Sequence, residues 1–320
     1  MSTVVFLEHH GDELLKSSLG VLSKAATLGG DVAGVVIGAN VRPLAGQAGR
    51  FGATKVYVAD DAQLEAPLSQ PRVDVLAQLV RDAGVDNVLF ANSVLAADVA
   101  AGLAARLGAG LNWDLVDISE ADGRLVGKRP ALQDAVYVDV GWTSEPRLAL
   151  FRTGSFDPSD VGGSAEVEDL QVALEDFSTA ARMVDQAHEE TAGASIDEAH
   201  VVVAGGRGLG GPENFTLLEE LAKELGGAVG ATRAVVDAGW YPYAAQVGQT
   251  GKTVSPKLYI AAGISGAIQH KVGMQGSGAI VAINKDPNAP IFEFSDLGVV
   301  GDVHQIVPKL TELVRARKSS

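Results

Sequence analysis

The sequence predicts an α/β protein of two domains, each built on a mostly parallel sheet, the C-terminal one Rossmann-like. Three observations carry this. At 320 residues the chain exceeds a typical single domain, so two are expected. Short apolar β segments alternate with segments of helical periodicity, the pattern of parallel sheets covered on both faces. The alternation is interrupted by "GSFDPSDVGGSAEVED", rich in Gly, Ser, Pro and acid, which starts a connector. The domains are expected over 1–190 and 191–320. The first carries antiparallel strands near 111–152 and an acidic connector over 155–197.

In order along the chain, "TVVFLE" reads as a strand. Asp12 to Leu28 follows with Leu14, Leu15, Leu19, Leu22 and Ala26 at helical spacing. Then come "DVAGVVIG" (strand), "AGQAGRFG" (short helix), "KVYVAD" (strand), Val73–Ala83 (helix), "NVLFAN" (strand) and Leu95–Leu107 (helix). "RLVGKRPAL", "AVYVDVGW" and "PRLALFRTG" lack helical periodicity and read as antiparallel strands. A second α/β block opens with "AHVVVAGG" and ends in a helix over Val303–Arg317.

Composition excludes several function classes. There is no cysteine, hence no disulfide, thiolate metal site, iron–sulfur cluster or cysteine nucleophile. The net charge of −15 argues against nucleic acid as a partner. No apolar run reaches the roughly 18 residues of a membrane span. The opening "MSTVVFLEHHGDELLK" lacks the basic leader of a secretory or transit peptide, so a cytoplasmic protein is expected. Between Asp157 and Glu198 stand twelve acidic side chains and one basic one, Arg182. That block reads as a solvated connector.

The motifs lie in the second block. In "VVVAGGRGLGGPENFTLLEEL" a β run ends at Gly205, Pro212 opens a helix, and Gly206, Gly208 and Gly211 fit G-x-G-x-x-G. This strand–turn–helix setting lets backbone N–H groups meet a pyrophosphate, and it also suits a turn that needs glycine only for packing. The acid that would hold a nicotinamide dinucleotide's ribose is replaced by Thr232 and Arg233. "QVGQTGKT" imitates a P-loop, but Gln246 stands in place of the first glycine and Pro256 and a strand follow instead of a helix. ATP or GTP hydrolysis is therefore rejected, and Lys252 reads as a solvated charge.

The run "LYIAAGISGAIQHKVGM" reads as a buried strand, a turn and a short helix. A lone histidine there, His270, is by itself a core residue. No catalytic triad and no metal-ligand spacing surround it, and no catalytic or metal residue is assigned. Asn284 ends a β run, and Asp302 stands where the last helix begins, as an N-cap would.

Taken together, "VVVAGGRGLGGPENF", "VGATRAVVDAGW", "QVGQTGKTVSP", "LYIAAGISGAIQHKVGMQGSGAIVAIN" and "NKDPNAPIFEFSDLGVVGD" resemble, in order, the electron transfer flavoprotein alpha subunit. The motifs cover nearly all of residues 199–303. The resemblance implies a redox carrier rather than an enzyme with its own substrate, with one FAD on the C-terminal domain and a beta subunit as heterodimer partner. Electrons would pass from flavin dehydrogenases, such as those oxidising acyl-CoA in fatty acid β-oxidation, to a membrane quinone oxidoreductase.

Carried over by motif, Arg207 and Thr232 lie among the FAD contacts, and Arg233 lies over the flavin ring. Gly248, Gln249 and Thr250 line the ring, with the Thr250 hydroxyl near N5. Ser265, Gly266, Ala267, Ile268 and Gln269 wrap the phosphate and ribityl region. His270 approaches O2, Asn284 and Asp302 hold the adenosine end, and Val303 is a further cofactor-binding residue. An electron carrier has to stabilise the negative charge that reduction places at N1 and O2, so a positive charge or a donor is expected at His270, with Arg233 adding to it. Two other classes remain open: an NADP-dependent oxidoreductase with Arg233 reading the 2′-phosphate, and a non-redox adenine-nucleotide binding protein.

Overall fold

The structure is a computed structural model that describes residues 1–121, 123–132, 136–185, 195–197 and 199–318. The chain divides into two compact units, Met1–Gln186 and Ala187–Ser320. The expected boundary at 190/191 lies outside the described residues.

The N-terminal unit alternates β1 (Ser2–Phe6), α1 (Lys16–Ala26), β2 (Asp31–Gly38), α2 (Ala45–Gly49), β3 (Lys55–Asp60), α3 (Ser69–Ala83), β4 (Asn87–Ala91) and α4 (Val94–Leu107). It continues with β5 (Leu111–Leu115), β6 (Asp117–Ala121), β7 (Arg124–Ala131), β8 (Val136–Val140), β9 (Arg147–Phe151) and β10 (Glu166–Asp169). Seven strands form one sheet in the order β10-β3-β2-β1-β4-β9-β5, all paired in parallel. Its two faces carry separate apolar clusters, one around Leu22, Val36 and Phe151 and the other around Leu76, Phe90 and Leu103. This is the double burial that near-continuous apolar strands such as "DVAGVVIG" require.

Three expectations need correction. The segment 147–151 is not antiparallel: β9 runs parallel between β4 and β5. Leu148, Ala149 and Phe151 are all fully buried, and an unbroken apolar strand belongs inside a parallel sheet rather than in a one-sided hairpin. Within 111–152, among the described residues, the antiparallel sheet is made by β6, β7 and β8 alone. The helix expected from Asp12 begins at Lys16, because residues 9–14 form a tight hairpin that turns at Gly11 with φ 55°. The acidic connector is not wholly solvated chain, since its residues 166–169 are β10, an edge strand with all four side chains exposed. Edge strands tolerate charge well, and here Lys55 pairs with Glu168 at 2.8 Å while Arg42 pairs with Asp169. Farther along, the buried carboxylate of Asp74 accepts from Arg106 at 2.6 Å and from the Glu175 N–H at 2.9 Å, tying the segment after β10 to α3 and α4. Residues 186–194 and 198 of the connector lie outside the described residues.

The C-terminal unit comprises β11 (Val201–Gly205), α5 (Phe215–Leu225), β12 (Ala228–Thr232), α6 (Arg233–Val236), β13 (Gln246–Val247), β14 (Leu258–Ala262), α7 (Ile268–Lys271), β15 (Ile280–Asn284), β16 (Leu297–Val300) and α8 (Val303–Lys318). Its sheet has the order β13-β12-β11-β14-β15-β16, again parallel throughout. Helices α5 and α8 cover one face, with Leu218, Leu221, Val303 and Val307 against Val203, Ile260 and Ile283. No helix among the described residues is long and apolar enough to cross a membrane.

The Asp74 tie yields a prediction. Asp74→Ala leaves Arg106 and the Glu175 N–H without their acceptor. The urea midpoint of the N-terminal unit should fall by the equivalent of about 1.5–3 kcal/mol, the worth of hydrogen bonds to a charged group, while Asp74→Asn should recover part of it. An unchanged midpoint in Asp74→Ala would show that the tie is solvent-compensated.

Candidate functional site

Strand order places the site. From β11 the chain moves to β12 on one side of the sheet, whereas β14 lies on the other side and leads on to β15 and β16. The loops leaving β11 and β14 therefore diverge. The crevice beyond their carboxyl ends is a topological switch point, where open α/β sheets bind ligands.

Both loops are glycine-lined for a physical reason. The amide of Gly206 donates to Ala262 O at 3.0 Å, and that of Gly208 to Gly263 O at 2.9 Å. A Cβ on Gly206 would lie 2.4 Å from Gly263 O, and one on Gly208 2.7 Å from Gly263 Cα. Gly263 itself has φ 64°. These glycines are required where one backbone passes against another, so the packing reading of the motif holds for Gly206 and Gly208. The helix expected at Pro212 opens there as a 3-10 turn, and α5 proper starts at Phe215.

The crevice opens into a cleft of about 980 Å³, at the upper end for small-molecule sites. Its walls bring together thirteen of the fifteen expected residues: Arg207, Thr232, Arg233, Gly248, Gln249, Thr250, Ser265, Ala267, Gln269, His270, Asn284, Asp302 and Val303. Gly266 and Ile268 do not line it. Gly266 turns away at φ 87° and packs on the Ile291 backbone, and the Ile268 side chain points outward, 73% exposed. The structure adds Asp237, Lys285, Asp286, Pro290 and His304 to the walls. "NKDPNAP" holds three of these, but its charges follow no periodic signal, so only their position at the end of β15 reveals them.

Hydrogen bonding divides the lining into anchored and available groups. Asn284 is anchored, its Nδ2 donating to Ile264 O at 2.9 Å and its Oδ1 accepting from the Asp286 N–H at 3.0 Å. Asp302 accepts from the His304 N–H at 2.9 Å, as the N-cap expected of it does. Thr250 Oγ1 accepts from Gln246 Nε2 at 3.2 Å, which leaves the hydroxyl proton free to donate into the cleft. Thr232 stands at the N-cap of α6 without a side-chain cap bond, so its hydroxyl is available too. Arg207 is exposed at the glycine turn. Arg233 meets Asp237 at 3.2 Å on the surface. Lys252 pairs with Asp197 and does not line the cleft.

His270 differs from its expectation. It is 6% exposed, with Nδ1 3.1 Å from Val247 O and Nε2 3.0 Å from the Tyr259 hydroxyl. Burial pulls its pKa down to about 4, against the Val247 carbonyl, which raises it. The ring is therefore neutral near pH 7, and both nitrogens are used by the protein. Of the positive charge or donor expected at this position, the charge is absent because desolvation outweighs one carbonyl contact.

A parallel sheet, a switch-point cleft and a wall of hydroxyls and cations define a protein that binds a phosphate-bearing dinucleotide cofactor. Residues 3–175 match the family model described as "Electron transfer flavoprotein domain", and residues 195–275 match the one described as "Electron transfer flavoprotein FAD-binding domain". The chain is 43% identical over 320 residues to an electron transfer flavoprotein subunit alpha of Mycobacterium tuberculosis, covering 99% of this chain and 100% of that one. It is 41% identical to that of Mycobacterium leprae, covering 99% and 100%, and 40% identical to that of Bacillus subtilis, covering 97% and 96%. The chain belongs to the electron transfer flavoprotein alpha subunit family. Its cofactor is FAD, and it is an electron carrier rather than an enzyme. The lining fits FAD: cationic Arg207 and the Ser265 hydroxyl suit phosphate, and the free Thr250 proton suits a ring nitrogen.

A pH prediction follows from His270. Its imidazole titrates near 6.5 in the unfolded chain and at about 4 in the folded one. Between these values the unfolded state holds more protons. Stability is therefore full above pH 6.5 and is lost as pH falls toward 4, by up to about 1.4 kcal/mol per pH unit and about 3 kcal/mol in all. In urea unfolding between pH 4 and 7, His270→Gln should show a correspondingly shallower dependence than the parent. Superimposable profiles would mean that His270 is not buried neutral.

Proposed function

We propose that this chain is the FAD-holding alpha subunit of a heterodimer. In it a beta subunit closes the cleft, and the pair carries electrons from flavin dehydrogenases, those oxidising acyl-CoA among them, to a membrane quinone oxidoreductase. The observation that carries this reading is the cleft itself, whose thirteen expected lining residues converge from six separate segments. In this reading the isoalloxazine ring lies against Gly248–Thr250 and His270 with Arg233 over it, the Thr250 hydroxyl donates to N5, and Ser265, Ala267 and Gln269 face the phosphate and ribityl region. The phosphates lie near Arg207 and Ser265, and the adenosine end lies by Asn284, Asp302 and Val303. FAD when bound supplies the redox chemistry, and the chain's residues bind it, orient it and set its surroundings.

The exposed apolar side chains Tyr243 and Ile268 support a covering partner on this side. Tyr243 donates to Thr250 O at 2.9 Å, and Ile268 stands between lining residues 267 and 269. Arg233 beside Asp237 disfavours the NADP alternative, since a carboxylate next to the guanidinium would repel a 2′-phosphate. Lys252, held by Asp197, supports the rejection of a P-loop.

Two outcomes test this. Co-expressed with its beta subunit, the protein should purify yellow with one FAD per pair, whereas the chain alone should hold FAD poorly or be less soluble. A stable, fully flavinated monomer would contradict the heterodimer. In the flavinated pair, Thr250→Ala should leave FAD bound and shift its reduction potential by about 20–65 mV, the equivalent of one neutral hydrogen bond for a one-electron step. Lys252→Ala should change neither; if it abolished binding while Thr250→Ala had no effect, the flavin reading would fail.

A further inference from the structure

Tyr259 lies in β14 with no exposed surface. A buried phenol without a hydrogen bond is costly, and the bond it has is the one to His270 Nε2, at 3.0 Å. On the other side of the ring, Nδ1 meets Val247 O at 3.1 Å. These contacts fix every proton. A backbone carbonyl only accepts, so Nδ1 carries the hydrogen. In the neutral ring Nε2 then accepts, so the Tyr259 hydroxyl donates. The alternative, hydrogen on Nε2, would leave the Tyr259 proton without an acceptor among the described residues and Val247 O facing a lone pair.

No charged side chain opposes this arrangement. Burial and the Val247 carbonyl are the two influences on the imidazole. Tyr259, the titratable group that touches it, is driven well above its ordinary value by burial and stays a phenol. Val247 is the last residue of β13, and the next three are the loop Gly248–Thr250. That loop is fastened a second time, Gln249 N donating to Gln269 O at 2.7 Å. Gly273 packs so closely that a Cβ on it would lie 2.3 Å from Gly248 N. The loop after β13 and the turn at α7 are thus held in register by a short relay anchored in the middle of the sheet.

We propose that Tyr259 is the positioning residue of this cleft: its buried hydroxyl donates to Nε2 and, with Val247 O accepting from Nδ1–H, holds the neutral His270 ring in place, and His270 through Val247 locks the Gly248–Thr250 loop against the α7 turn. Tyr259 touches no cofactor and acts through His270. The relay is a property of this chain alone. Its effect on flavin rests on the function proposed above, so the two are read separately.

The test is Tyr259→Phe in the co-expressed pair, with FAD removed for the first readout and restored for the second. Nitrogen-15 NMR of labelled histidine, six in the chain, should show His270 in the parent as protonated at Nδ1 and bare at Nε2 at neutral pH. In Tyr259→Phe the hydrogen should stay on Nδ1 against Val247 O, the His270 Nε2 resonance should move as its donor is lost, and amide hydrogen exchange at Gly248 and Gln249 should quicken on the order of fivefold, the loss of one net hydrogen bond. Reloaded with FAD, the variant should bind it on the order of fivefold more weakly. If the variant does not fold, 3-fluorotyrosine incorporation strengthens the donor without removing it, and should shift the His270 Nε2 resonance while leaving Nδ1 nearly unmoved. An Nε2–H or doubly protonated His270 in the parent overturns the proposal. So does a Tyr259→Phe variant with an unmoved Nε2 resonance and unchanged loop exchange, or a fluorotyrosine protein with an unmoved Nε2. A pair that keeps the tautomer pattern yet binds no FAD would refute the functional reading and leave the relay standing.

Discussion

The C-terminal unit depends on two backbones passing within van der Waals contact at the ends of adjacent strands. Beyond β11 the chain crosses Gly206 and Gly208, and beyond β14 it crosses Gly263, with a Cβ at Gly206 falling 2.4 Å from Gly263 O. The strand order forces this passage, because β11 and β14 are neighbours while their loops lead to opposite halves of the sheet. Glycine there lets the loops leave the sheet close together and then diverge. The space between them is the cleft, so a packing requirement creates the site and the polar side chains line it.

Electrostatics of the lining follow from burial depth. Arg207 remains in water at the glycine turn, where a guanidinium suits phosphate. His270, held between Val247 and Tyr259, gives its charge up to desolvation. Thr250 is presented as a donor because buried Gln246, 2% exposed, occupies its oxygen. His270 and Thr250 are thus neutral and hydrogen-bonded to the protein, while Arg207 and Arg233 are exposed on the cleft wall.

Much of this was legible in the sequence, and the exceptions have physical causes. Periodicity placed β2 and β3 at their observed limits, since each is a short apolar run bounded by turn residues. It misjudged 147–151, because an apolar strand read alone does not reveal whether its neighbours run with it or against it. It left 166–169 in a connector, because an edge strand of Glu, Val, Glu and Asp has no apolar face to recognise and is held by ion pairs to Arg42 and Lys55. In the cleft, motif order found Arg207, Thr250 and Ser265, but the wall residues Lys285, just after β15, and His304, in the first turn of α8, are brought near only by the sheet. His270 was found as a position, with a charge or a donor expected there, and its burial, which removes the charge, is set only by the fold. Its partner Tyr259 reads in sequence as one more core aromatic, and only the fold sets its hydroxyl on the imidazole.

The central claim is that this cleft is shaped for FAD. The most direct measurement is calorimetric titration of the cofactor-stripped heterodimer with FAD, NADP⁺ and ADP in parallel. The account predicts one tight FAD site per alpha chain, weaker competition by ADP through the adenosine end alone, and no competition by NADP⁺. NADP⁺ binding as tightly as FAD, or FAD binding that survives charge reversal at Arg207 and disruption of the loops at Gly206 and Gly263, would contradict it.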